Sequence, residues 1–322
     1  MRAAVTGGTG FVGSHLVDAL LERGDRVQAQ VRDPRKAADL ARRGVALVEG
    51  DLDDEAALAR AFDGAEVVFH VAGLIKALEP GEYFRVNAGG TERALTAARR
   101  VGARRMVLVS SQAAGGPGWR DRPRREEDPP APVSPYGASK LAAERIALGA
   151  TDGPEVAVVR PCVVYGPRDQ ALRPLFKLCA LGVAPRLPAN PAVSLIHARD
   201  LARLMLLAGD APRASGRVYF GCGPAAGVDE LIGLIGAGMA RKPIRIPAPA
   251  VALVAAGIGA DVLSSLTRTP RPFGRQKALE MLRTSWWCSG ERAERELGFR
   301  AAIDHAEGLA DTARWYRAAG WI

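Results

Sequence analysis

The chain has 322 residues, of which 48% are hydrophobic and 25% charged, and this provides enough apolar material for one large domain or two. The composition excludes disorder as the dominant state, because a disordered chain lacks the apolar surface that offsets its conformational entropy. The formal net charge is +9, but eight arginines lie between Arg99 and Arg125 against the single acid Asp121. Without interleaved aromatic residues, this run predicts a solvated surface and no nucleic-acid partner.

Strands and helices alternate regularly through the first half of the chain. Short β-branched runs predict strands at Ala3–Thr6, Arg26–Val31, Ala46–Glu49, Val67–His70, Met106–Ser110 and Val156–Arg160. Amphipathic stretches predict helices at Phe11–Arg23, Pro34–Arg43, Glu55–Phe62, Tyr83–Val101 and Pro135–Gly149. Continuous apolar strands separated by helices are typical of a parallel sheet covered on both faces. The pattern therefore predicts a doubly wound α/β domain of the Rossmann type over residues 1–165.

Proline and glycine become denser after Pro161, and the alternation loosens. Helices are predicted at Leu172–Leu181, Arg199–Ala208, Val228–Ala240, Ala250–Ser265, Gln276–Leu282, Ser289–Leu297 and Ile303–Ala319. Short strands are predicted near Val193–Ile196, Val218–Phe220 and Pro243–Ile246. We expect residues 166–322 to form a smaller, mostly helical cap that binds the substrate, with residues 193–220 returning to the sheet.

A glycine-rich loop lies between the first predicted strand and the first predicted helix. Its glycines permit a tight turn, a close approach of the backbone to a pyrophosphate, and close packing of the helix on the strand. The N-terminus of the helix then offers free N–H groups to the anion. This context predicts a dinucleotide site with contacts from Gly7, Thr9, Gly10, Phe11, Val12 and Gly13.

The end of the second strand bears on the choice of cofactor. Enzymes that prefer the unphosphorylated dinucleotide usually place an acid there, whereas this chain has Arg32 after Val31. Arg32 can pair with a 2′-phosphate, and Lys36 lies one turn further on. The sequence therefore favours NADP(H), although Asp33 could serve the ribose of NAD(H) instead.

The turn after the third strand, Gly50-Asp51-Leu52, is placed to meet the adenine edge of the cofactor. Asp51 could equally cap the helix that follows, and both roles are compatible.

Two serines and a Tyr-x-x-x-Lys pair provide candidate catalytic groups. Tyr136 and Lys140 open a predicted helix and share one face of it, and an ammonium near a phenol lowers the pKa of that phenol. Ser110 and Ser111 end the fifth strand at the carboxyl edge of the sheet, where ligands bind in doubly wound folds. A hydroxyl there can donate to a substrate oxygen as charge develops on it.

Together these residues resemble the extended short-chain dehydrogenase/reductases over nearly the whole chain. The matching motifs, in order, are Thr6–Gly13, Gly50-Asp51, residues 70–73, Asn87 with Thr91, Ser110-Ser111, Tyr136 with Lys140, and residues 160–167. The resemblance implies that Tyr136 is the general acid/base, Lys140 its partner and ribose ligand, and Ser111 the donor to the substrate oxygen. The further cofactor contacts that it implies are Ala72, Gly73, Asn87, Pro161 and Val164, the last two behind the nicotinamide.

Two branches of this family compete. The nucleotide-sugar epimerases and dehydratases commonly carry Arg-Asp-aromatic where this chain has Val193-Ser194-Leu195, so the guanidinium that clamps a diphosphate is missing. The C-terminal half, with its apolar run 250–263 and Trp286-Trp287, is similar to the 3β-hydroxysteroid dehydrogenase and dihydroflavonol-reductase-like group. We therefore expect hydride transfer to or from a small, largely apolar ketone or secondary alcohol. A nucleotide-sugar epimerase and a non-catalytic NADP(H) sensor remain as alternatives.

The remaining expectations concern location and assembly. Residues 246–260 are interrupted by prolines and glycines and are shorter than the roughly 20 apolar residues of a spanning helix, which predicts no membrane span and at most peripheral contact. The first residues read as a strand, not as a secretory signal. Cys162, Cys179, Cys222 and Cys288 lie far apart without a CxxC pair, which predicts no metal site, no disulfide framework and a cytoplasmic location. Dimers are common in the family that the chain resembles, and we expect a homodimer.

Overall fold

The computed structural model describes residues 1–119, 121–188, 190–269, 274–275, 278–279, 282 and 285–322. The strands are β1 (Arg2–Thr6), β2 (Arg26–Val31), β3 (Ala46–Glu49), β4 (Val67–His70), β5 (Arg105–Val109), β6 (Glu155–Pro161), β7 (Val163–Tyr165), β8 (Val183–Arg186), β9 (Ala192–His197), β10 (Arg217–Gly221), β11 (Ala225–Gly227) and β12 (Ile244–Pro247). The α-helices are α1 (Phe11–Glu22), α2 (Ala38–Arg42), α3 (Glu55–Phe62), α4 (Pro80–Tyr83), α5 (Gly90–Arg100), α6 (Gln112–Gly115), α7 (Pro135–Leu148), α8 (Arg173–Ala180), α9 (Ala198–Asp210), α10 (Val228–Gly238), α11 (Ala250–Thr267), α12 (Glu291–Leu297) and α13 (His305–Ala318).

Seven parallel strands form the central sheet in the order β10-β6-β5-β4-β1-β2-β3. Side chains alternate between its two faces: Ala3 and Val5 pack into one apolar core and Ala4 into the other. Helices cover both faces of the sheet, and this burial allows its strands to be apolar along their whole length. The predicted Rossmann fold with a helical C-terminal region is confirmed.

The second half of the chain adds two small sheets and a third core. β9 pairs with β7 and β11, and β12 pairs in parallel with β8. α8, α10 and α13 surround an apolar cluster that includes Tyr165, Phe176 and Tyr316. β10 departs from this half and lies beside β6 at the edge of the central sheet.

Several elements differ from the predicted ones. The helix predicted over Tyr83–Val101 is a π-helix over Phe84–Gly89, flanked by α4 and α5. The helix predicted over Pro34–Arg43 begins as a 3₁₀ turn over Pro34–Ala37, because Asp33 caps it and Pro34 occupies its first position. The short strands β7, β8 and β11 were not predicted, since three or four residues carry too little periodicity. The helix predicted over Gln276–Leu282 lies mostly outside the described residues.

The arginine run was predicted to be solvated, and two of its members are not. Arg105 is fully buried and donates to Glu155 at 2.5 Å, while Arg124 is buried and donates to the Pro129 carbonyl. Burial lowers the pKa of both guanidinium groups from its ordinary value. Part of the positive charge in this run is therefore inside the fold and is not offered to a partner.

A buried ion pair joins α7 to β6. Arg160 donates to both oxygens of Glu144, at 2.9 and 2.6 Å, and both side chains are less than 5% exposed. Ser110 donates to the same carboxylate at 2.5 Å. Since the two charges and the hydroxyl satisfy one another, this cluster fixes the helix that carries Tyr136 and Lys140 against the sheet.

Replacing Glu144 tests this cluster. Glu144→Ala leaves the Arg160 guanidinium buried without its partner, and we expect the free energy of unfolding in urea to fall by about 3–5 kcal/mol. The exposed pair Arg99 and Asp152, 2.8 Å apart, is the control, and Asp152→Ala should cost less than about 1 kcal/mol. Equal losses for the two variants would contradict the structural role given to the buried pair.

Candidate active site

The loop between β1 and α1 is held by three close backbone contacts. The Gly10 N–H donates to the Gly7 carbonyl at 2.9 Å, and Gly7 has φ +75°, a conformation that favours glycine. A Cβ on Gly7 would lie 2.7 Å from Ala72 N, and one on Gly13 would lie 2.1 Å from Gly7 O. No side chain caps the N-terminus of α1 at Gly10. The glycine positions thus form a cradle that any side chain would fill, in front of an open helix N-terminus.

Polar groups connect the ends of β1 and β4 behind this loop. Thr6 Oγ1 accepts from the Ala72 N–H at 3.2 Å and lies 2.9 Å from His70 Nδ1. Burial, together with the Lys140 charge, lowers the pKa of His70 to about 3, so the imidazole is neutral at neutral pH. These contacts hold Ala72 and Gly73 beside the glycine loop, where the sequence predicts cofactor contacts.

The second part of the predicted cofactor site is a cavity of about 310 Å³ at the carboxyl ends of β2 and β3. It is lined by Arg32, Glu49, Gly50, Asp51 and Asp54. Arg32 is exposed and faces this space, whereas Lys36 stands outside it.

The two aspartates that the sequence left ambiguous have separate roles. The Asp33 carboxylate accepts from the backbone and side chain of Arg35, both at 3.1 Å, so it is engaged as a cap. Asp54, not Asp51, caps α3 by accepting from the Ala57 N–H at 2.8 Å. Asp51 accepts from the Asp53 N–H in the preceding turn and remains exposed in the cavity. The residue that caps α3 is therefore Asp54, three positions after Asp51, and the expectation that Asp51 caps this helix is wrong.

The π-helix places Asn87 between the cofactor side and the catalytic helix. Its amide accepts from the Leu74 N–H at 2.7 Å and donates to the Leu74 carbonyl and to Ser139. A Cβ on Gly73 would lie 3.0 Å from Asn87 Oδ1 and 3.2 Å from Lys140 Nζ. π-helical turns recur at functional sites because their wider turn redirects side chains. Leu52 packs against Gly90 of α5, and its carbonyl accepts from Arg93 Nε at 2.6 Å; its contact with the adenine edge stays a prediction.

Ser111 and Tyr136 face each other at the carboxyl end of β5. The Ser111 hydroxyl is close enough to the Tyr136 phenol to lower its pKa against the effect of burial, and Ser111 Oγ accepts from the Ala113 N–H at 3.1 Å. Ser110, one residue earlier, points the other way and is bonded to Glu144. Of the two serines, only Ser111 is therefore placed beside the phenol, as the family resemblance implied.

Lys140 is buried one turn along α7 from Tyr136. Its ammonium donates to the Val109 carbonyl at 2.8 Å, and burial lowers its pKa to about 8. The expected lowering of the Tyr136 pKa is not found: burial raises it, and the Ser111 hydroxyl only partly opposes this. The physical reason is burial of the phenol, while the Lys140 ammonium is engaged with the Val109 carbonyl. The phenol is thus protonated in this state, ready to donate a proton.

Tyr83 is a site residue that sequence reasoning took only as the start of a helix. Its ring lies edge-on to Tyr136 at 5.9 Å between centroids, and its hydroxyl accepts from the Ala77 N–H at 3.1 Å. It therefore connects the exposed loop 74–82 with the catalytic phenol. No motif marks this contact, because it arises from packing between α4 and α7.

Three cysteines gather beside the segment predicted to back the nicotinamide. Cys162 follows Pro161 and its N–H donates to Gly221 O at 3.0 Å, while Cys222 Sγ lies 3.5 Å from the Cys288 carbonyl. Val164 packs in the same apolar core as Val12 and Cys162. Burial raises the pKa of the Cys288 thiol well above its usual range. The cysteines that are far apart in sequence thus form one small cluster, with unreactive neutral thiols at neutral pH.

A second cleft, of about 670 Å³, lies between α1, α9 and α13. It is lined by His15, Asp18, Arg168, Arg203 and Trp315 among others, and by none of the predicted catalytic residues. Among the described residues, no group of three or more His, Cys, Asp or Glu side chains could hold a metal ion. The predicted catalytic residues Ser111, Tyr136 and Lys140 therefore lie outside this cleft.

Comparisons with known proteins agree with this arrangement. Residues 3–220 match the NAD dependent epimerase/dehydratase family. A ceramide reductase of Caulobacter vibrioides is 39% identical over 99% of this chain and 95% of its own length. A 3 beta-hydroxysteroid dehydrogenase/Delta 5-->4-isomerase of Mycobacterium tuberculosis is 31% identical over 98% of this chain and 90% of its own.

The fold is also shared with a nucleotide-sugar enzyme. The structure of the dTDP-glucose 4,6-dehydratase DesIV of Streptomyces venezuelae, with NAD bound, superposes with a TM-score of 0.80 at 27% identity. The superposition covers 100% of this chain and 98% of that one.

Adding one methyl group in the cradle tests the cofactor site. In Gly13→Ala the new Cβ meets the Gly7 carbonyl, and the loop must shift, so we expect NADPH affinity to fall more than about tenfold. The control is Gly259→Ala, where the structure has open space, and its NADPH affinity should be unchanged. The measurement is a fluorescence titration, and unchanged affinity in Gly13→Ala would place the dinucleotide elsewhere.

The lowered pKa of Lys140 predicts a pH dependence of stability in the cofactor-free protein. Below pH 8 Lys140 is protonated in both the folded and the unfolded chain, so the folded chain bears the full desolvation cost of a buried ammonium. Between about 8 and the ordinary 10.5 the unfolded chain binds more protons, so stability rises with pH. The difference in unfolding free energy between the native protein and Lys140→Met should grow by about 3 kcal/mol across this window. Lys177→Met, at an exposed position, should show no such change, and a flat difference for Lys140→Met would refute the shift.

Proposed function

Because the chain belongs to the NAD-dependent epimerase/dehydratase family and is an oxidoreductase, we propose that it transfers hydride between NADP(H) and a ketone or secondary alcohol of a largely apolar, lipid-like molecule. The observation that carries this proposal is the proximity of Ser111 to Tyr136, with Lys140 buried one turn along α7, next to segments with exposed apolar side chains. Polar catalytic groups bordered by apolar side chains suit a substrate that carries one carbonyl on a hydrocarbon skeleton.

The exposed apolar side chains come mainly from two loops that no motif constrains. Ile75, 66% exposed, and Leu78 lie on the loop before α4, and Trp119 and Val133 lie on the segment between Ser111 and Tyr136. Phe84 of the π-helix is also exposed. The first loop leads into Tyr83, whose ring contacts Tyr136, and the second segment begins at Ser111, so these side chains lie on segments that adjoin the candidate catalytic groups. The relatives named for ceramide and for 3β-hydroxysteroids support the same substrate class.

The residues of the chain divide the reaction between binding and proton transfer. When bound, the cofactor supplies or accepts the hydride at its nicotinamide. Ser111 donates a hydrogen bond to the substrate oxygen and stabilises the charge that develops on it. Tyr136 gives its proton to that oxygen in reduction and takes it back in oxidation. Lys140 holds the ribose side of the cofactor and favours the phenolate by its charge once it is drawn away from Val109.

The residues at the adenosine end support NADP(H). Arg32 faces the cavity at the end of β2, and Asp33, the residue that could serve an unphosphorylated ribose, is committed to Arg35. The exposed guanidinium of Arg32 can form a charge-assisted hydrogen bond with a 2′-phosphate bound in this cavity.

Epimerisation or dehydration of a nucleotide sugar is the second candidate, and the shared fold with DesIV favours it. Against it, Val193 stands where nucleotide-sugar enzymes commonly carry the arginine of this motif, so the guanidinium that would clamp a diphosphate is missing. The next residue, Ser194, is fully buried in β9 and is bonded to the backbone of Cys288. A UDP- or dTDP-sugar converted without net consumption of cofactor would establish this alternative.

Replacing the phenol tests the assigned acid. Tyr136→Phe keeps the ring that packs against Tyr83 but has no proton to give, and we expect kcat for reduction of an apolar ketone to fall about 10²- to 10⁴-fold. Its affinity for NADPH should stay near that of the native protein, as measured by fluorescence. The substrate comes from a screen of ketosteroids and 3-keto-sphingoid lipids for NADPH oxidation. Full turnover by the variant with normal cofactor binding would exclude Tyr136 as the acid.

Cofactor preference has its own test. Arg32→Ala should weaken NADPH about tenfold to hundredfold and leave NADH unchanged, because only the former carries the 2′-phosphate. Lys36→Ala is the neighbouring control, since this side chain lies outside the cavity. Native dissociation constants that are equal for the two dinucleotides would remove the preference.

A further inference from the structure

An apolar helix lies exposed on the second half of the molecule. The length and mean hydropathy of the 18-residue helix α11 would allow it to cross a membrane, and only 6% of it is buried. Four of its five exposed large side chains, Val251, Ile258, Val262 and Leu266, follow a spacing of seven, four and four residues, and the fifth is Leu263. That spacing places them on one face of the helix. This face has no apolar partner among the described residues.

The apolar area continues onto neighbouring elements. β12 leads directly into α11 and exposes Ile244 and Ile246 on one side of its two-stranded sheet. Leu181, 78% exposed, precedes β8, and the Ile244 N–H donates to the adjacent Gly182 carbonyl at 2.9 Å. Among the described residues, nine of the fourteen exposed large hydrophobic side chains belong to this area. We call it the α11 surface: Leu178, Leu181, Ile244, Ile246, Val251, Ile258, Val262, Leu263 and Leu266.

The opposite side of α11 is attached to the rest of the chain by polar and backbone contacts. Asp261 accepts from the Arg275 N–H at 2.9 Å, and a Cβ on Gly257 would lie 2.7 Å from the same nitrogen. A helix that crossed a bilayer would bring this carboxylate and the backbone beside it into hydrocarbon, which is costly. The contacts are therefore suited to a helix that lies along a surface, with one face free.

The charge around the apolar face of α11 distinguishes between two partners, a second copy of the chain and a lipid surface. Residues 241–284 carry eight basic and two acidic side chains, and so supply most of the net charge of +9. Arg241, Lys242 and Arg268, at the two ends of the apolar area, are exposed. A second copy of the chain would bring the same positive charges against them, which is unfavourable. An anionic lipid surface offers hydrocarbon to the apolar face and negative charge to its ends.

We propose that the α11 surface docks in the plane of an anionic bilayer, with the apolar side chains in the acyl boundary and Arg241, Lys242 and Arg268 at the headgroups. The chain returns from this region to the active site: Ser285 pairs with Gly118, and Cys288 with Arg124, on the segment that joins Ser111 to Tyr136. The docked state thus links a lipid surface to the loop that frames the catalytic groups. Docking stands apart from the proposed reaction, because the surface shares no residue with the catalytic site.

Vesicle flotation of the full-length protein tests the proposal. We expect binding to vesicles of equal parts phosphatidylglycerol and phosphatidylcholine, weak binding to phosphatidylcholine alone, and release at high salt. Val251→Asn with Leu266→Asn should lower the vesicle partition coefficient at least about tenfold. The matched control, Val251→Ile with Leu266→Met, keeps the face apolar and should bind as the native protein does. Both positions are at least 77% exposed, so thermal unfolding should be unchanged.

A second pair of variants separates charge from apolar contact. Arg241→Gln with Lys242→Gln should weaken binding to the anionic vesicles about tenfold, whereas the exposed pair Arg60→Gln with Arg100→Gln, away from this surface, should not. Equal binding of the native protein to neutral and anionic vesicles would overturn the choice of an anionic surface. A failure to bind either vesicle, with the Asn variant converting a dimer to a monomer in light scattering, would show that a second copy covers the face. None of these readouts depends on turnover, so an inactive protein that floats would refute the proposed function and leave the docking intact.

Discussion

The close approach of two backbone segments at the carboxyl edge of the sheet is the constraint on which the site depends. The turn at Gly7 passes so near to Ala72 that a Cβ has no room, and Gly13 brings α1 equally close to the same turn. Parallel pairing places the ends of β1, β4 and β5 side by side, and the missing side chains let the loops that follow them converge. The sheet thus positions the cradle, while the π-helix places Asn87 and the buried pair of Glu144 and Arg160 holds α7 against the sheet.

Two buried cations near this edge have different partners, and the difference separates structure from chemistry. Arg160 is neutralised by Glu144, whose carboxylate also accepts from the Ser110 hydroxyl, so its charge is fully used in holding α7. Among the described residues, the Lys140 ammonium donates only to a backbone carbonyl, and burial lowers its pKa. A cation with an incomplete set of partners can gain from a ligand. The same helix therefore carries a fully paired glutamate on one turn and an ammonium that is open to a further partner on another.

Local pattern predicted the strands in the first half of the fold well, because each of them is a continuous apolar run. β2, β3 and β4 begin and end where predicted. Several features that sequence reasoning missed depend on contacts between distant segments: the cluster of Cys162, Cys222 and Cys288, the edge-on Tyr83, and the burial of Arg105. The same limit explains Asp51 and Asp54, since two aspartates three residues apart offer the same capping chemistry and only the backbone decides between them. The glycines of the loop were predicted because a tight turn requires them, and the close backbone contacts of Gly7 and Gly13 agree with this. The catalytic roles of Tyr136 and Lys140 stay predictions.

The distribution of exposed apolar side chains ties the two proposals to one physical argument. Among the described residues, five of these side chains lie on segments that adjoin Ser111 and Tyr136, and nine belong to the α11 surface. Clustered exposed apolar side chains mark a site of interaction more often than isolated ones do. The first group adjoins the proposed catalytic groups and the second is bordered by positive charge, so each has a different natural occupant. The bridges from Ser285 and Cys288 to the segment 118–124 connect the two groups through backbone pairing. A lipid-like substrate would meet hydrocarbon at both places, which is why an apolar substrate and an apolar docking surface are mutually consistent in this chain.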